Sequence, residues 1–561
     1  MKRIYTFGFA GLVFLILATS SWLLVIVPGV ASKTMQSELA RRTGRALIIN
    51  GGASLQFSPQ LGVALHDVNI PGTSINSEPV VVAKTLILPG SFFQLFSLQI
   101  SNREIQLIDP VFTVQIDAAG QPNIMSTQAA DDTQIDFSAL RVRFENGAFK
   151  YLDEPNAKRF TLTDAEGLID FNAQNETKIN AAMTVAGERT HIAASLKSLT
   201  RAFRDGAPLE FNIDAAGASI SYGGRVVATR GIDLAGQMRV DTNNAVRLFK
   251  WVGLDFHGLG STVPFALTTA LEANASKIQF GRSDILISGM KATGDISITH
   301  RTAKPNFVMD LQFENLNTDL FLDSKRNVNW SEKPLDVNNF NVLDLSYTLA
   351  ATKMRVGAFE ARDVQIAGSM NDGVLVSTLS SPNLGETKIE FDSHATPAKL
   401  NLELALKISD ATSFMQQFAF MNWFSGPMVL NGEIATAGNS QAAMIGALDG
   451  QLEIKSNEAV LKGVSLSALT SKAAVQPMTG WDEGDTENVA FSSKFILADG
   501  IATVQENSVS APGVKISTTG DIDMLRQAIN LSAQIKNAGK PVQISVEGPW
   551  GKPQIRAKAL Q

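Results

Sequence analysis

The sequence of 561 residues contains no cysteine and only five histidines. Without cysteine, disulfide scaffolds, thiol nucleophiles, iron–sulfur clusters and cysteine-based zinc sites are excluded. The histidines lie far apart, and no two of them have the i, i+4 spacing of a helical metal-binding pair. They are His66, His191, His257, His300 and His394.

Charge is scarce as well. Charged residues make up 18% of the chain, below the roughly 25% of ordinary soluble domains. The net charge of −6 gives no basic excess, so nucleic acid is a poor candidate partner. Hydrophobic residues reach 45%, which opposes disorder. The polar surface must therefore be built from Ser, Thr, Asn, Gln and Gly, a composition typical of β-rich envelope proteins.

Motifs that carry catalysis or bind cofactors are also missing. The sequence has no Gly-x-Ser-x-Gly, His-Glu-x-x-His or Walker A motif. Gly258-Leu-Gly260 is the nearest approach to a dinucleotide loop, but Val263 stands where the third glycine is required. The acidic stretch 482–485 lacks the further ligands of a calcium loop and is interpreted as solvated. We therefore expect no enzyme activity, no cofactor and no metal.

One long apolar run stands at the N-terminus. Residues 4–27 carry no charge and follow Lys2 and Arg3. A membrane-spanning helix needs about 20 such residues, whereas the apolar region of a cleaved signal peptide has only about 7–15. The run predicts an uncleaved single-pass anchor, with residues 1–28 as cytoplasmic tip and anchor. Basic residues on both sides of the run leave its orientation open by the charge rule.

The rest of the chain alternates apolar and polar residues with period two, which predicts strands with one apolar face. Turns are predicted at Gly187, 145–147 and 498–500, and short helices at 33–43, 244–251, 410–421 and 466–474. A glycine followed by such an alternation recurs about every 20–40 residues, which indicates a quasi-linear stack. Ten residues represent the apolar faces as candidate lining of a binding groove: Ile179, Met183, Val185, Phe307, Met309, Leu311, Phe313, Leu402, Leu404 and Leu406.

The apolar faces need a cover, and helices are too few to provide it. Either the sheet folds on itself into packed sandwiches or barrels, or it curls into a trough whose lining is covered by ligand. Alternation by itself favours the packed core, because most one-sided sheets pack on protein.

Several segments, taken in their order along the chain, resemble the AsmA family of bacterial envelope proteins. In the N-terminal part these are the apolar run followed by Glu-Leu-Ala-Arg-Arg-Thr-Gly-Arg at 38–45, Ile-Gln-Leu-Ile-Asp-Pro at 105–110, Gly-Gln-Pro-Asn at 120–123 and Val-Arg-Phe-Glu-Asn-Gly at 142–147. In the C-terminal part they are 448–454, 463–466, 500–503, 520–523 and 548–550. The resemblance covers residues 1–175 and 430–561.

The resemblance implies a mostly β fold in which the transmembrane helix is followed by an elongated, curled antiparallel sheet, a β-groove. Its expected segments are an N-terminal region at 29–190, central groove repeats at 191–430 and a C-terminal region at 431–561. It also implies a bacterial inner-membrane protein with its bulk in the periplasm.

The implied function is to bind and conduct phospholipids between the inner and outer membranes in outer-membrane biogenesis. The alternative is a scaffold or regulator of outer-membrane protein assembly or targeting, with envelope proteins as partners. The family contributes no catalytic residues.

A basic cluster follows the anchor at Arg41, Arg42 and Arg45. Beside a membrane these side chains are candidate contacts for anionic lipid headgroups, each contributing on the order of 1 kcal/mol. A solvated helix face or salt bridges to the folded domain is the alternative interpretation, and the sequence favours it.

Overall fold

A computed structural model describes most of the chain after residue 25. The described residues are 26–43, 45–58, 61–72, 77–91, 104–118, 123, 139–155, 158–172, 176–229, 231–254, 262–299, 304–320, 330–335, 337, 340, 343–419, 421–473, 478–479, 484–535 and 541–560. Of the predicted cytoplasmic tip and anchor, 1–28, they include only residues 26–28. Gly258-Leu-Gly260 and residues 482–483 lie outside them. Of the helices in the described ranges, none is both long and apolar enough to cross a membrane.

The chain divides into two compact units. Unit 1 comprises Met1–His257 and Ser261–Gly281, and unit 2 comprises Gly258–Gly260 and Arg282–Gln561. The division at residue 281 falls inside the predicted central segment 191–430, and the four predicted segments stay a prediction.

In its described residues, unit 1 consists of strands with three helices. The helices are α1 Val27–Thr43, α2 Leu199–Arg204 and α3 Ala245–Trp251. The strands are β1 Ile48–Ile49, β2 Ala53–Gln56, β3 Gly62–Ile70, β4 Val81–Pro89, β5 Glu104–Ile116, β6 Leu140–Asp153, β7 Lys158–Phe171, β8 Thr177–Val185, β9 Glu188–Leu196, β10 Ala207–Ala215, β11 Ala218–Val227, β12 Asp233–Thr242 and β13 Phe265–Ala273, followed by β14 Lys277–Ile287, in which the boundary falls.

Unit 2 has the same character. Its helices are α4 Thr412–Phe418, α5 Gln441–Gly446 and α6 Leu466–Ala473, with a 3₁₀ turn at Thr318–Leu320. Its strands are β15 Met290–Thr299, β16 Asn306–Asn317, β17 Asp344–Val356, β18 Phe359–Asn371, β19 Val374–Ser381, β20 Gly385–Asp392, β21 Lys399–Ile408, β22 Phe424–Ser425, β23 Met428–Ala437, β24 Asp449–Leu461, β25 Met478–Thr479, β26 Thr486–Ala498, β27 Ile501–Ala511, β28 Val514–Asp523, β29 Ala528–Ile535, β30 Val542–Pro549 and β31 Gln554–Ala559.

Strand pairing follows the chain almost throughout. From β6 to β13 and from β17 to β21, each strand pairs antiparallel with the next. Two pairs are parallel, β5 with β6 and β16 with β17. The predicted mostly antiparallel β architecture is therefore confirmed within each unit.

Three of the four predicted helices agree closely with the structure. The stretch 33–43 lies within α1, which begins earlier, and 244–251 and 466–474 correspond to α3 and α6. Helix α4 is shorter than predicted: it ends at Phe418 and does not reach Met421. Asp410 lies just before this helix, and its carboxylate accepts hydrogen bonds from the Thr412 amide at 3.0 Å and the Thr412 hydroxyl at 2.6 Å.

The turn predicted at 145–147 is wrong, because β6 continues through it. Asn146 alone adopts a left-handed φ, of 54°, and the pairing of β6 with β7 shifts on either side of Gly147. A two-residue hairpin of the favoured type needs positive φ at two successive residues. Ala186 and Gly187 meet that condition at 48° and 80°, whereas a single left-handed residue gives a β-bulge that bends the strand.

Each unit has a main apolar cluster. In unit 1, the i, i+4, i+8 stripe Val27, Ala31 and Met35 of α1 packs with buried residues of the first strands. In unit 2, one cluster joins strands from β15 to β26, and another joins α6 to the last strands.

Candidate binding face

The apolar residues of successive strands line one face of the sheet in each unit, here called the apolar face. Strand β21 illustrates it: Leu400, Leu402, Leu404, Leu406 and Ile408 lie on this face, and the residues between them are exposed on the other. The neighbouring strand continues the row, since Leu402 pairs with Ile434 of β23 and Leu406 with Leu430. The predicted alternation is therefore observed in the fold.

Five of the seven candidate lining residues of unit 2 share one cluster. Leu311, Phe313 and Leu406 are buried in it, and Met309 and Leu404 pack against it half-buried. Phe307 and Leu402 lie on the same faces of their strands and are half-buried. They are not part of that cluster.

The three candidate residues of unit 1 belong to its main cluster. Met183 is buried there, and Ile179 and Val185 pack against it. The main-chain carbonyl of Val185 also accepts a hydrogen bond of 3.1 Å from the indole N–H of Trp251 in α3. The same helix is held by Arg247, whose Nε and Nη2 donate to the Glu188 carboxylate at 2.9 and 2.6 Å. This ion pair lowers the pKa of Glu188 and raises that of Arg247. Helix α3 is thus fastened to the ends of β8 and β9.

Parts of the apolar face are only half-buried, namely the first half of β21 and the middle of β10. On β21, Leu400, Leu402 and Leu404 are half-buried, whereas Leu406 and Ile408 are buried. On β10 of unit 1, the apolar residues at the centre are half-buried between buried alanines at both ends. These half-buried residues have paired strands on both sides, so their remaining exposure is toward the space above the face. A second packed layer of protein would bury such side chains almost completely.

The C-terminal end of the apolar face in unit 2 is covered. Leu466 and Leu469 of α6 are buried against β30 and β31, where Val542, Ile544 and Ala557 are also buried. The apolar face of unit 2 is therefore covered by α6 at its C-terminal end, whereas on β21 it is partly exposed.

The sheet edges that the structure describes are short or protected. Strand β3 is flanked by β1 and β2, of two and four residues. Strand β31 pairs with β25 at Ala557 and Arg556, and its outward residues Arg556 and Lys558 are exposed. Short edge strands and outward basic side chains both oppose the addition of a further strand.

The opposite face of unit 2 is polar. A concavity of about 580 Å³ on strands β20 to β27 is lined by five glutamates, two lysines and three amide side chains, together with apolar residues such as Leu404, Leu452 and Ile496. Lys388 pairs with Glu403 at 3.2 Å and Lys494 with Glu506 at 3.3 Å. Exposed pairs of this kind contribute little to stability. This face thus carries the charged side chains of these strands alongside some apolar surface.

The predicted headgroup arginines have bonds within the protein. Arg41 pairs with Glu38 at 2.6 Å, one turn earlier in α1. Arg45 is half-buried, and its Nη1 and Nη2 donate to the carbonyls of Pro71 and Asn123 at 2.9 and 3.1 Å. Burial lowers the pKa of Arg45. Arg42 lies in α1, and its side chain is outside the described part of the chain.

Asn123 is a structural residue that the sequence did not single out as a site. It is 2% exposed, and its side-chain amide donates to the carbonyls of Glu78 and Thr113 while its Oδ1 accepts from the Gln115 amide. Because its own carbonyl also accepts from Arg45, it ties the chain after β5 to the end of α1. The conspicuous signal in the sequence was its place at the end of Gly-Gln-Pro-Asn.

Comparison with known proteins gives one relative over nearly the full length. The chain is 19% identical to Protein AsmA of Escherichia coli (strain K12) over 607 aligned residues, which cover 98% of this chain and 92% of that protein. The chain is therefore similar to AsmA along almost its whole length. No protein-family model matches it, and no solved structure matches it significantly. The AsmA likeness agrees with the resemblance of the segments at both ends and with the mostly β fold.

Proposed function

We propose that this chain is an envelope protein that binds phospholipids on its apolar face and conducts them between the inner and outer membranes, without catalysis. The likeness to AsmA supports an envelope-related role. The proposal for phospholipid is based on one observation: Leu400, Leu402 and Leu404 of β21 are half-buried although paired strands flank them on both sides.

Acyl chains would complete the burial of this face. Each CH₂ group removed from water contributes roughly 0.8 kcal/mol, so a chain lying along the half-buried centre of several strands gains substantial free energy. Apolar contact is non-directional. A lipid is therefore free to move from one strand to the next along the face.

The alternative, a scaffold for outer-membrane protein assembly, receives less support. A scaffold acting by strand addition needs a long free edge. The described edges at β1–β2 and β31 are short, paired or basic. The half-open apolar face favours the lipid-binding function instead.

Site-specific photo-crosslinking in living cells tests the proposal. Benzoylphenylalanine would replace Leu404 on the apolar face, or its neighbour Ala405 on the opposite face as the matched control. We expect phospholipid adducts at position 404 and background signal at 405. Equal adducts at both positions, or none at either, would contradict the proposal.

A charge series on β21 separates lipid binding from folding. Leu404→Lys should leave the protein folded and reduce lipid adducts elsewhere on the face, because a half-buried lysine keeps access to water. Met309→Asp on β16 should act in the same way. Leu406→Lys should unfold unit 2, because residue 406 is only 5% exposed and an unpaired buried charge is strongly destabilising. Ala405→Lys is the exposed control, for which both lipid binding and stability should stay unchanged.

A further inference from the structure

Polar side chains interrupt the apolar face of unit 2 on three neighbouring strands. Ser456 of β24, Ser493 of β26 and Asn507 of β27 occupy positions at which the alternation places inward apolar residues. On β24 the inward residues run Leu452, Ile454, Ser456. On β26, Ser493 stands between Phe491 and Phe495, which both pack into apolar clusters.

The pairing register brings the three side chains together. Ser493 pairs directly with Asn507, and the side-chain amide of Asn507 donates to the Ser493 hydroxyl at 2.9 Å. Ser456 pairs with Phe491, so it is the diagonal neighbour of Ser493 on the same face. Diagonal neighbours on a sheet lie about 7–8 Å apart. The three residues therefore form one cluster, here called the polar patch.

Two atoms of the polar patch are buried without a hydrogen-bond partner among the described residues. They are Oγ of Ser456 and Oδ1 of Asn507. Ser456 is 5% exposed and Ser493 6%. A buried polar atom without a partner costs about 1–3 kcal/mol, so native proteins usually satisfy it with a water, an ion or a ligand.

The sheet itself is irregular beside the polar patch. Thr503 of β27 pairs with Asp521 of β28, and the next pair is Val509 with Ile516. The regular pairing with β28 is therefore interrupted over the part of β27 that contains Asn507.

We propose that the polar patch is a subsite that binds the hydrogen-bonding headgroup of a phospholipid whose acyl chains lie on the apolar face. The inference rests on the proposed function. The Oδ1 of Asn507 needs a donor, and the hydroxyl of Ser456 both donates and accepts. An ethanolamine headgroup offers three N–H donors, whereas a choline headgroup offers none. The subsite therefore favours phosphatidylethanolamine over phosphatidylcholine.

The test uses the full chain with benzoylphenylalanine at Val509, a half-buried residue two positions from Asn507. The chain would be incubated with vesicles of equal phosphatidylethanolamine and phosphatidylcholine, irradiated, and its adducts identified by mass spectrometry. We expect at least about tenfold more ethanolamine adduct, the factor contributed by one hydrogen bond from a charged ammonium donor. The triple variant Ser456→Ala, Ser493→Ala, Asn507→Leu should lower this ratio to about one, the value for equal affinity.

A matched control lies on the other face of the same strands. Ser492 and Ser508 pair with each other across β26 and β27, one position from Ser493 and Asn507. The variant Ser492→Ala, Ser508→Ala should keep the wild-type ratio. The triple variant should be about as resistant to urea as the wild type, because it removes two buried atoms that have no partner and replaces both members of the Asn507–Ser493 hydrogen bond by apolar groups.

The outcomes separate the subsite from the function on which it rests. An equal ratio in the wild type and the triple variant, with phospholipid adducts still formed at Leu404, would mean that the polar patch binds only water and would overturn the subsite. Absence of phospholipid adducts at both Leu404 and Val509 would overturn the proposed function itself. A ratio that falls equally in the control variant would also contradict the subsite.

Discussion

The indole N–H of Trp423 donates a hydrogen bond of 3.1 Å to the main-chain carbonyl of Trp550, 127 residues away. Trp423 directly precedes β22, which pairs with the C-terminal end of β24. Trp550 follows the C-terminal end of β30. In the antiparallel ladder from β24 to β30, these two strand ends lie on opposite borders of the sheet. Unit 2 must therefore curl strongly at its C-terminal end for the bond to form.

Removal of this bond should loosen that curl. Trp423→Phe keeps an aromatic ring but loses the donor, and we expect the free energy of unfolding of unit 2 to fall by about 1 kcal/mol. The amide of Trp550, which donates to the Gln527 carbonyl at 2.9 Å, should exchange with solvent faster. Trp330→Phe is the control, because it removes an indole bond of 2.9 Å to the Met524 carbonyl without touching Trp550. Unchanged exchange at Trp550 in Trp423→Phe would show that the bond does not hold the strand end.

Substitution of the two described arginines of the basic cluster distinguishes their roles. Arg45→Gln should lower the free energy of unfolding of unit 1 by about 1.5–3 kcal/mol, because charged hydrogen bonds to the carbonyls of Pro71 and Asn123 are lost. Arg41→Gln should change it by less than about 0.5 kcal/mol, because the Arg41 side chain is 65% exposed and an exposed ion pair such as that with Glu38 contributes little to stability. Urea unfolding measures both effects. If both variants instead kept full stability and lost phospholipid adducts, the arginines would be headgroup contacts.

The stability of unit 1 should depend on pH through Glu176. Its carboxylate accepts from Lys197 at 2.8 Å and from Ser195 at 2.9 Å, and these bonds lower its pKa to about 2. A carboxylate whose pKa is lowered by folding stabilises the protein above its unfolded-state pKa. We expect this contribution to be present above the ordinary glutamate pKa of 4.5 and to disappear as the pH falls toward 2.

Glu176→Gln provides the control for this titration. The variant should lose part of the neutral-pH stability, and its stability should fall less steeply between pH 4.5 and 2 than that of the wild type. Urea unfolding at several pH values measures the two slopes. Parallel slopes would assign the acid sensitivity to other carboxylates.

Much of the fold could be predicted from period-two alternation, because successive side chains of a strand point to opposite faces and the pattern therefore indicates which face is buried. Leu402, Leu404 and Leu406 share a face in the structure as they do in the pattern. Two six-residue helices, α2 and α5, were not predicted. Both begin after a serine whose hydroxyl accepts from a first-turn amide, Ser198 and Ser440, but helices this short leave little periodicity to detect.

The features of the candidate site that escaped prediction depend on pairing between strands. That Ser456, Ser493 and Asn507 meet requires the register of three strands, which the sequence alone does not specify. The partners of Arg45 likewise come from Pro71 and Asn123, far along the chain. Alternation predicted which residues face inward, and the structure added which of them are neighbours.

The pairing of each strand with its successor has a consequence for how such a protein changes in length. Since an antiparallel hairpin contacts mainly its two flanking strands, a hairpin inserted at a turn such as Ala186–Gly187 leaves the other pairings intact. Each added hairpin would lengthen its unit by two strand spacings, about 9.5 Å. Relatives are thus free to differ by whole hairpins, and the reach of the protein is adjustable in steps of that size without redesign of either end.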